Sequence, residues 1–189
     1  MEYAKERHII VVPEIEMPGH VQAALAAYPE LGNNPSSPVE PWDQFGVSYR
    51  VLNVEESTVE FFQDILREVM DVFPSRVIHV GAHPSLLSLP RYSLTCTCAG
   101  GDECPRSEWE STERVQRRIR ELQLGSAHDL QPWFMRQMDA FLTDQGRHML
   151  GWDEILEGGL APNAMIMSWR GPSHYFHRIG PSIFPILSY

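Results

Sequence analysis

A chain of 189 residues, 43% hydrophobic and 21% charged, is long enough for one domain with a substantial core and too apolar for disorder. Its formal net charge of −10 excludes the basic face that phosphate binding needs, so no nucleic-acid partner is expected. No apolar run reaches the roughly 20 residues that span a bilayer, so no membrane span is expected either. The opening MEYAKERHII lacks the basic-then-apolar order of a signal peptide, which leaves a cytosolic chain or an N-terminus lying upstream.

Residues 8–12 (HIIVV) form a short β-branched run closed by Pro13, and predict a strand buried on both faces. The polar turn EIEMPGH follows, then a short Ala-rich helix in VQAALAAY, then a Pro-, Gly-, Asn- and Ser-rich loop over 29–47. Ser57 is expected to begin a long helix, with Glu60 at the spacing of a capping box. Phe61, Phe62, Ile65, Leu66, Val69, Met70 and Phe73 recur along it at helical intervals until Pro74 stops it. Residues 77–80 (VIHV) predict a second buried strand, and 113–122 a helix with a basic outer face. A further helix runs from a cap at Asp129 to about Asp144, with Pro132 in its first turn and Gly146 beyond its end. Strands are predicted at 148–152 (HMLGW) and 165–169 (MIMSW). Four strands alternating with helices favour parallel βαβ units, right-handed by default.

The polar and aromatic residues gather where these strands end. Glu14, Glu16 and His20 follow the first, His79 sits in the second, Trp152, Asp153 and Glu154 close the third, and Trp169 and Arg170 the fourth. Function at the carboxyl ends of successive parallel strands is the layout of a (β/α)8 barrel or an open doubly wound sheet. No Gly-rich phosphate loop follows the first strand, so nucleotide binding is unsupported. Carboxylates facing aromatic walls suit sugar chemistry: indole faces stack on pyranose C–H faces, and an apolar wall raises the pKa of a nearby acid so that it keeps its proton. Asp102 and Glu103 are adjacent acids, and neighbours on a regular strand point to opposite faces. They can serve one substrate only past a strand end, where Gly101 lets the backbone turn. Each residue also has a plainer reading: an exposed acid pair, a core lid of Trp, a hydrogen-bonded core histidine at His79, a helix start at His20.

The three cysteines, Cys96, Cys98 and Cys104, are too few and odd in number for a disulfide framework. With His79 or His83 they can be drawn as a zinc site, and a metal-dependent hydrolase is a competing reading, but the spacing matches no common zinc pattern and no metal or cofactor is expected. The acidic residues break the chain into parts. All 25 lie in 1–81 and 101–171, whereas 82–100 carries only Arg91 and 172–189 only Arg178 as charges.

Four motifs, PEIEMPGH (13–20), GDECP (101–105), GWDEI (151–155) and SWRG (168–171), occur in the order found in β-N-acetylhexosaminidases of glycoside hydrolase family 20, and the chain resembles the middle of that catalytic domain. The resemblance implies an α/β fold, a partial (β/α)8 TIM barrel of about four of the eight units. It divides the chain into a catalytic segment, 1–171, interrupted by an insertion at 82–100, and a non-homologous tail, 172–189. It implies a retaining, substrate-assisted hydrolysis of terminal N-acetylhexosamine. Glu103 is implied as general acid and base, and Asp102 as the group that holds the substrate's acetamido N–H and stabilises the oxazolinium intermediate. Trp152 and Trp169 are implied as walls of the acetamido pocket, with Glu16, His20, His79 and Asp153 as supporting or substrate-binding residues. The implied partners are glycans ending in N-acetylglucosamine or N-acetylgalactosamine, or chitooligosaccharides. Members of the family are often secreted, periplasmic or lysosomal. The family runs its strand straight into the acids, as in VIHVGGDECP, whereas here nineteen residues, 82–100, separate Gly81 from Gly101. An inactive fragment or non-catalytic sugar-binding remnant is the alternative reading.

Overall fold

The computed structural model describes residues 1–44, 48, 50–81, 106–169 and 186–188. Five strands, β1 (Glu14–Met17), β2 (Val77–Gly81), β3 (His148–Trp152), β4 (Met165–Ser168) and β5 (Ile186–Ser188), form one sheet in the order β1-β2-β3-β4-β5. Every neighbouring pair is parallel. Parallel strands whose spatial order follows the chain never reverse direction of winding, so the open doubly wound sheet is excluded and the arrangement is a segment of a (β/α)8 barrel. The fifth strand lies inside the stretch set apart from sequence as a tail.

The helices are α1 (Glu2–Lys5), α2 (Gln22–Ala27), α3 (Glu56–Val72), α4 (Arg106–Ser111), α5 (Glu113–Glu121) and α6 (Leu130–Asp144). Two of them follow the apolar spacing closely. On α3, Val59, Phe62 and Leu66 are buried, and on α6, Phe134, Met138 and Leu142. Phe62 and Phe134 meet edge to face at 6.5 Å, which joins the two helices over the sheet. Ile78, Val80, Met149 and Ile166 are fully buried in the same core.

The register sorts the sheet into two faces. Glu14 lies level with His79, His79 with Leu150, Leu150 with Met165 and Trp152 with Met167. Because side chains alternate along a strand, Ile78, Val80, Met149 and Ile166 belong to the helix-covered face, and Glu14, His79, Leu150 and Trp152 to the other. A bulge between Glu14 and Met17 adds one residue to β1 and re-aims its end.

Three expectations are corrected. The first strand is Glu14–Met17, not 8–12, and Ile9, Ile10 and Val12 are 56%, 76% and 41% exposed. The register is the reason: with Glu14 opposite His79, Val12 comes level with Val77, the first residue of β2, and 8–11 project past the sheet. Ladder bonding begins where His79 N–H donates to Pro13 O at 2.9 Å. The capping box at Ser57 does not form either. The helix starts at Glu56, and the buried Asn53 carboxamide takes the cap's place. Its Oδ1 accepts from Glu55 N–H (3.0 Å) and Thr58 Oγ1 (2.6 Å), while its Nδ2 donates to Glu30 O and Gly32 O. Asp129, finally, makes no side-chain cap to α6. Its carboxylate accepts from Ser126 N–H at 2.9 Å, closing a capping box on the 3-10 turn Ala127–Asp129.

Candidate active site

The carboxyl ends of β1 to β4 bring together most of the residues marked from sequence. At the end of β2, Gly81 has φ +64, and a side chain there would overlap the Glu16 carboxylate. Glu16 therefore lies directly over the β2 terminus, a position open to it only because residue 81 is glycine. Its Oε1 is 3.8 Å from His20 Nδ1, four residues on, where the chain has left β1 through a cis Met17–Pro18 peptide. Glu16 and His20 thus form one polar group at the strand ends.

His79 is 3% exposed, the hydrogen-bonded core histidine of the plainer reading, but it also belongs to the site. Its Nδ1 accepts from Gly81 N–H at 3.0 Å and lies 3.1 Å from Glu14 Oε1. One nitrogen cannot serve both. The Gly81 hydrogen is directed at Nδ1, which then acts as an acceptor, and the approach of Glu14 is an ion pair only where the ring carries a second proton. The ring meets the Trp152 indole edge to face, centroids 4.8 Å apart.

The two tryptophans are held in the same way. Trp152 Nε1 donates to Glu14 Oε1 at 3.0 Å, and Trp169 Nε1 to Glu154 Oε1 at 2.8 Å. Each indole N–H is spent on a carboxylate from another element, which leaves the ring faces to define the surface. Trp169 is 45% exposed. Behind β3 the chain winds at once into a 3-10 turn, Asp153–Leu156, and this lets two adjacent acids reach one neighbouring strand. Asp153 Oδ2 accepts from Ser168 Oγ at 3.0 Å, and Glu154 takes the next residue, Trp169. Gly151 permits the turn: a Cβ there would come 2.8 Å from Ile155 Cγ2. Asp153 is fully buried, so its carboxylate supports the turn rather than lining an open surface.

Asp102, Glu103, His83, Cys96, Cys98 and Cys104 lie outside the described residues, as do the insertion 82–100 and most of the tail. The chain on the far side of the acid pair is firmly tied. The Glu108 carboxylate of α4 accepts from Val51 N–H (3.0 Å) and Asn33 Nδ2 (3.2 Å) and pairs with Arg50 at 2.8 Å. Trp109, buried beside it, donates Nε1 to Leu52 O at 2.8 Å. Among the described residues no group of His, Cys, Asp and Glu could hold a metal ion, and no helix is long and apolar enough to cross a membrane.

Sequence reasoning grouped Glu14 with Glu16 and His20 at the end of the first strand without a role of its own, and gave none to Ser168 or α4. Glu14 had a signal, since it stands two residues before Glu16 and shares a face with His79. Ser168 stood inside the SWRG motif.

A barrel segment whose strand ends carry acids and pinned indoles has the layout that the four sequence motifs lead one to expect. The family description "Glycosyl hydrolase family 20, catalytic domain" matches residues 1–83 and 88–179, and the chain belongs to that family. It is 41% identical over 172 residues to a beta-hexosaminidase of Porphyromonas gingivalis, a match covering 90% of this chain and 20% of that protein. A beta-hexosaminidase of Vibrio furnissii is 30% identical, over 88% of this chain and 24% of its own length. The crystal structure of beta-N-acetylhexosaminidase from Bacteroides fragilis superposes with a TM-score of 0.75 at 30% identity, covering 98% of this chain and 33% of that one. The chain thus spans a fifth to a third of the length of these relatives.

Proposed function

We propose that the chain is the catalytic segment of a β-N-acetylhexosaminidase. It removes terminal N-acetylglucosamine or N-acetylgalactosamine from chitooligosaccharides or glycoconjugates, with retained configuration. The observation that carries this reading is the pair of strand-end indoles, Trp152 and Trp169, each fixed by its N–H to a carboxylate, at the same end of the sheet as the Glu16–His20 group. The names of the relatives, beta-hexosaminidases among them, support the substrate class.

Glu103 acts as general acid. As the substrate's acetamido oxygen attacks the anomeric carbon, the glycosidic C–O bond breaks and the leaving oxygen takes the proton from Glu103. Asp102 accepts the acetamido N–H, turns the carbonyl toward the anomeric carbon and stabilises the positive oxazolinium that forms. The Glu103 carboxylate then removes a proton from water, which attacks the anomeric carbon and reopens the ring. Trp152 and Trp169 enclose the acetamido group, exclude water and hold the near-attack geometry. Glu16, His20 and His79 support the acid from β1 and β2, and Asp153 supports Trp152 and β4 from beneath. The catalytic segment is 1–171, and residues 82–100 are an insertion within it, between Gly81 and the GDECP motif that carries both acids. No cofactor enters the scheme.

Hydrolysis of p-nitrophenyl N-acetyl-β-glucosaminide tests this. The parent chain is expected to be active in the presence of a chelator, and Glu103→Gln to lose roughly 100- to 10,000-fold in kcat. A folded parent chain that binds N-acetylglucosamine without cleaving the glycoside would overturn the catalytic reading in favour of a sugar-binding remnant.

A further inference from the structure

We infer that Glu14 is a positioning residue for the acetamido pocket, acting through the Trp152 indole; this rests on the hexosaminidase reading for its consequence, though not for its geometry. Glu14 precedes the strand-end group and stands on β1, two strands away from Trp152. One oxygen, Oε1, accepts the Trp152 N–H at 3.0 Å and lies 3.1 Å from His79 Nδ1. The His79 ring in turn abuts the same indole, and its Nδ1 holds the Gly81 N–H. The Trp152 side chain thus meets β1 through Glu14 and β2 through the His79 ring, and these two contacts set the direction of a side chain that has two torsions of its own.

The arrangement is selective. An indole has a single donor, and a carboxylate accepting it fixes both the tilt of the ring and the face presented to ligand. Glu14 is 39% exposed, so water competes for the bond when the site is empty. A sugar seated on the indole excludes that water and strengthens the hold. The same device recurs one strand on, where Glu154 holds Trp169, but that carboxylate comes from the turn beside β4 rather than from across the sheet. Glu14 is therefore the group that couples the Trp152 wall to β1, the strand that carries Glu16.

The test reads the indole N–H resonances of the full ¹⁵N-labelled chain, with Trp152 assigned by its loss in Trp152→Phe. In Glu14→Leu the Trp152 resonance is expected to shift and its hydrogen exchange to quicken at least about tenfold, while the Trp169 resonance stays in place. In Glu14→Gln, whose amide oxygen still accepts, most of the protection returns. The dissociation constant for N-acetylglucosamine is expected to rise about tenfold in Glu14→Leu and less than about threefold in Glu14→Gln. A Trp152 signal unchanged in Glu14→Leu overturns the inference. Should that variant lose the dispersed signals of Trp109 and Trp133 as well, Glu14→Ser, too short to reach the indole but still polar, decides: a Trp152 shift alone supports the inference, an unmoved one sinks it. A parent chain that neither binds nor cleaves the sugar defeats the hexosaminidase reading, while the indole resonances still judge the tie itself.

Discussion

Gly81 ends β2 at φ +64 with the Glu16 carboxylate occupying the space a side chain would need. Gly81→Ala is expected to cost about 1–3 kcal/mol from the left-handed backbone alone, and to push Glu16 away from His20. Urea denaturation gives the first effect, and an unchanged midpoint would refute it. That glycine stood in VIHVG for anyone to read, but the need for it did not, since the need comes from a carboxylate more than sixty positions away. Asp139 on α6 makes a second case. It is 2% exposed, and burial pushes its carboxyl up from the ordinary range, against the weaker pull of the Asn163 hydrogen bonds and His148. The native state then binds this proton more tightly than the unfolded chain. The group favours folding most below its unfolded pKa of about 3.9, and that contribution is lost as pH rises through the raised native value. Asp139→Asn keeps an acceptor for Asn163 N–H and removes the charge. Its stability relative to the parent, from urea midpoints, is expected to climb between about pH 3 and pH 7 and to be flat if the carboxyl titrates normally.

At the scale of elements, α4 is the piece with the most to do and the least announcement in sequence. It is six residues long, too short to declare itself by periodicity, yet Glu108 and Trp109 bind it to 50–52 and so anchor the chain just after the proposed acids. Trp109→Phe keeps most of the buried ring and leaves Leu52 O without its donor. The expected loss is about 1–3 kcal/mol in urea, with a further fall in kcat if the anchor carries through to Glu103. A variant as stable and as active as the parent would mean that α4 is only a surface turn. The longer elements were legible because their apolar residues repeat over several turns or alternate on a strand. β3 was predicted with its bounds, His148–Trp152. The first strand differs because an apolar run need not be a buried one, and register places 8–11 beyond the end of β2.

For the whole molecule, the parallel order β1-β2-β3-β4-β5 puts the acids and indoles on one side and at one end. It also leaves Ile9, Ile10 and Val12 exposed beside β1, which among the described residues pairs with β2 alone. An apolar segment next to an open strand edge promotes association. Ile10→Lys is expected to reduce concentration-dependent scattering while the thermal midpoint stays within about 1 °C, since Ile10 is 76% exposed and little packing is lost. Equal scattering from the two chains would show that this edge is not the sticky surface.

The sequence by itself determined the fold class and the family, because apolar spacing records which face of each element is buried and because short motifs at four strand ends keep their order along the chain. Tertiary structure alone decided the partners: Glu14 for Trp152, Glu154 for Trp169, Ser168 for Asp153, and Glu16 over Gly81. The reason is that strand register and a one-residue bulge bring together side chains from distant parts of the chain, and neither leaves a local pattern in the residues that meet.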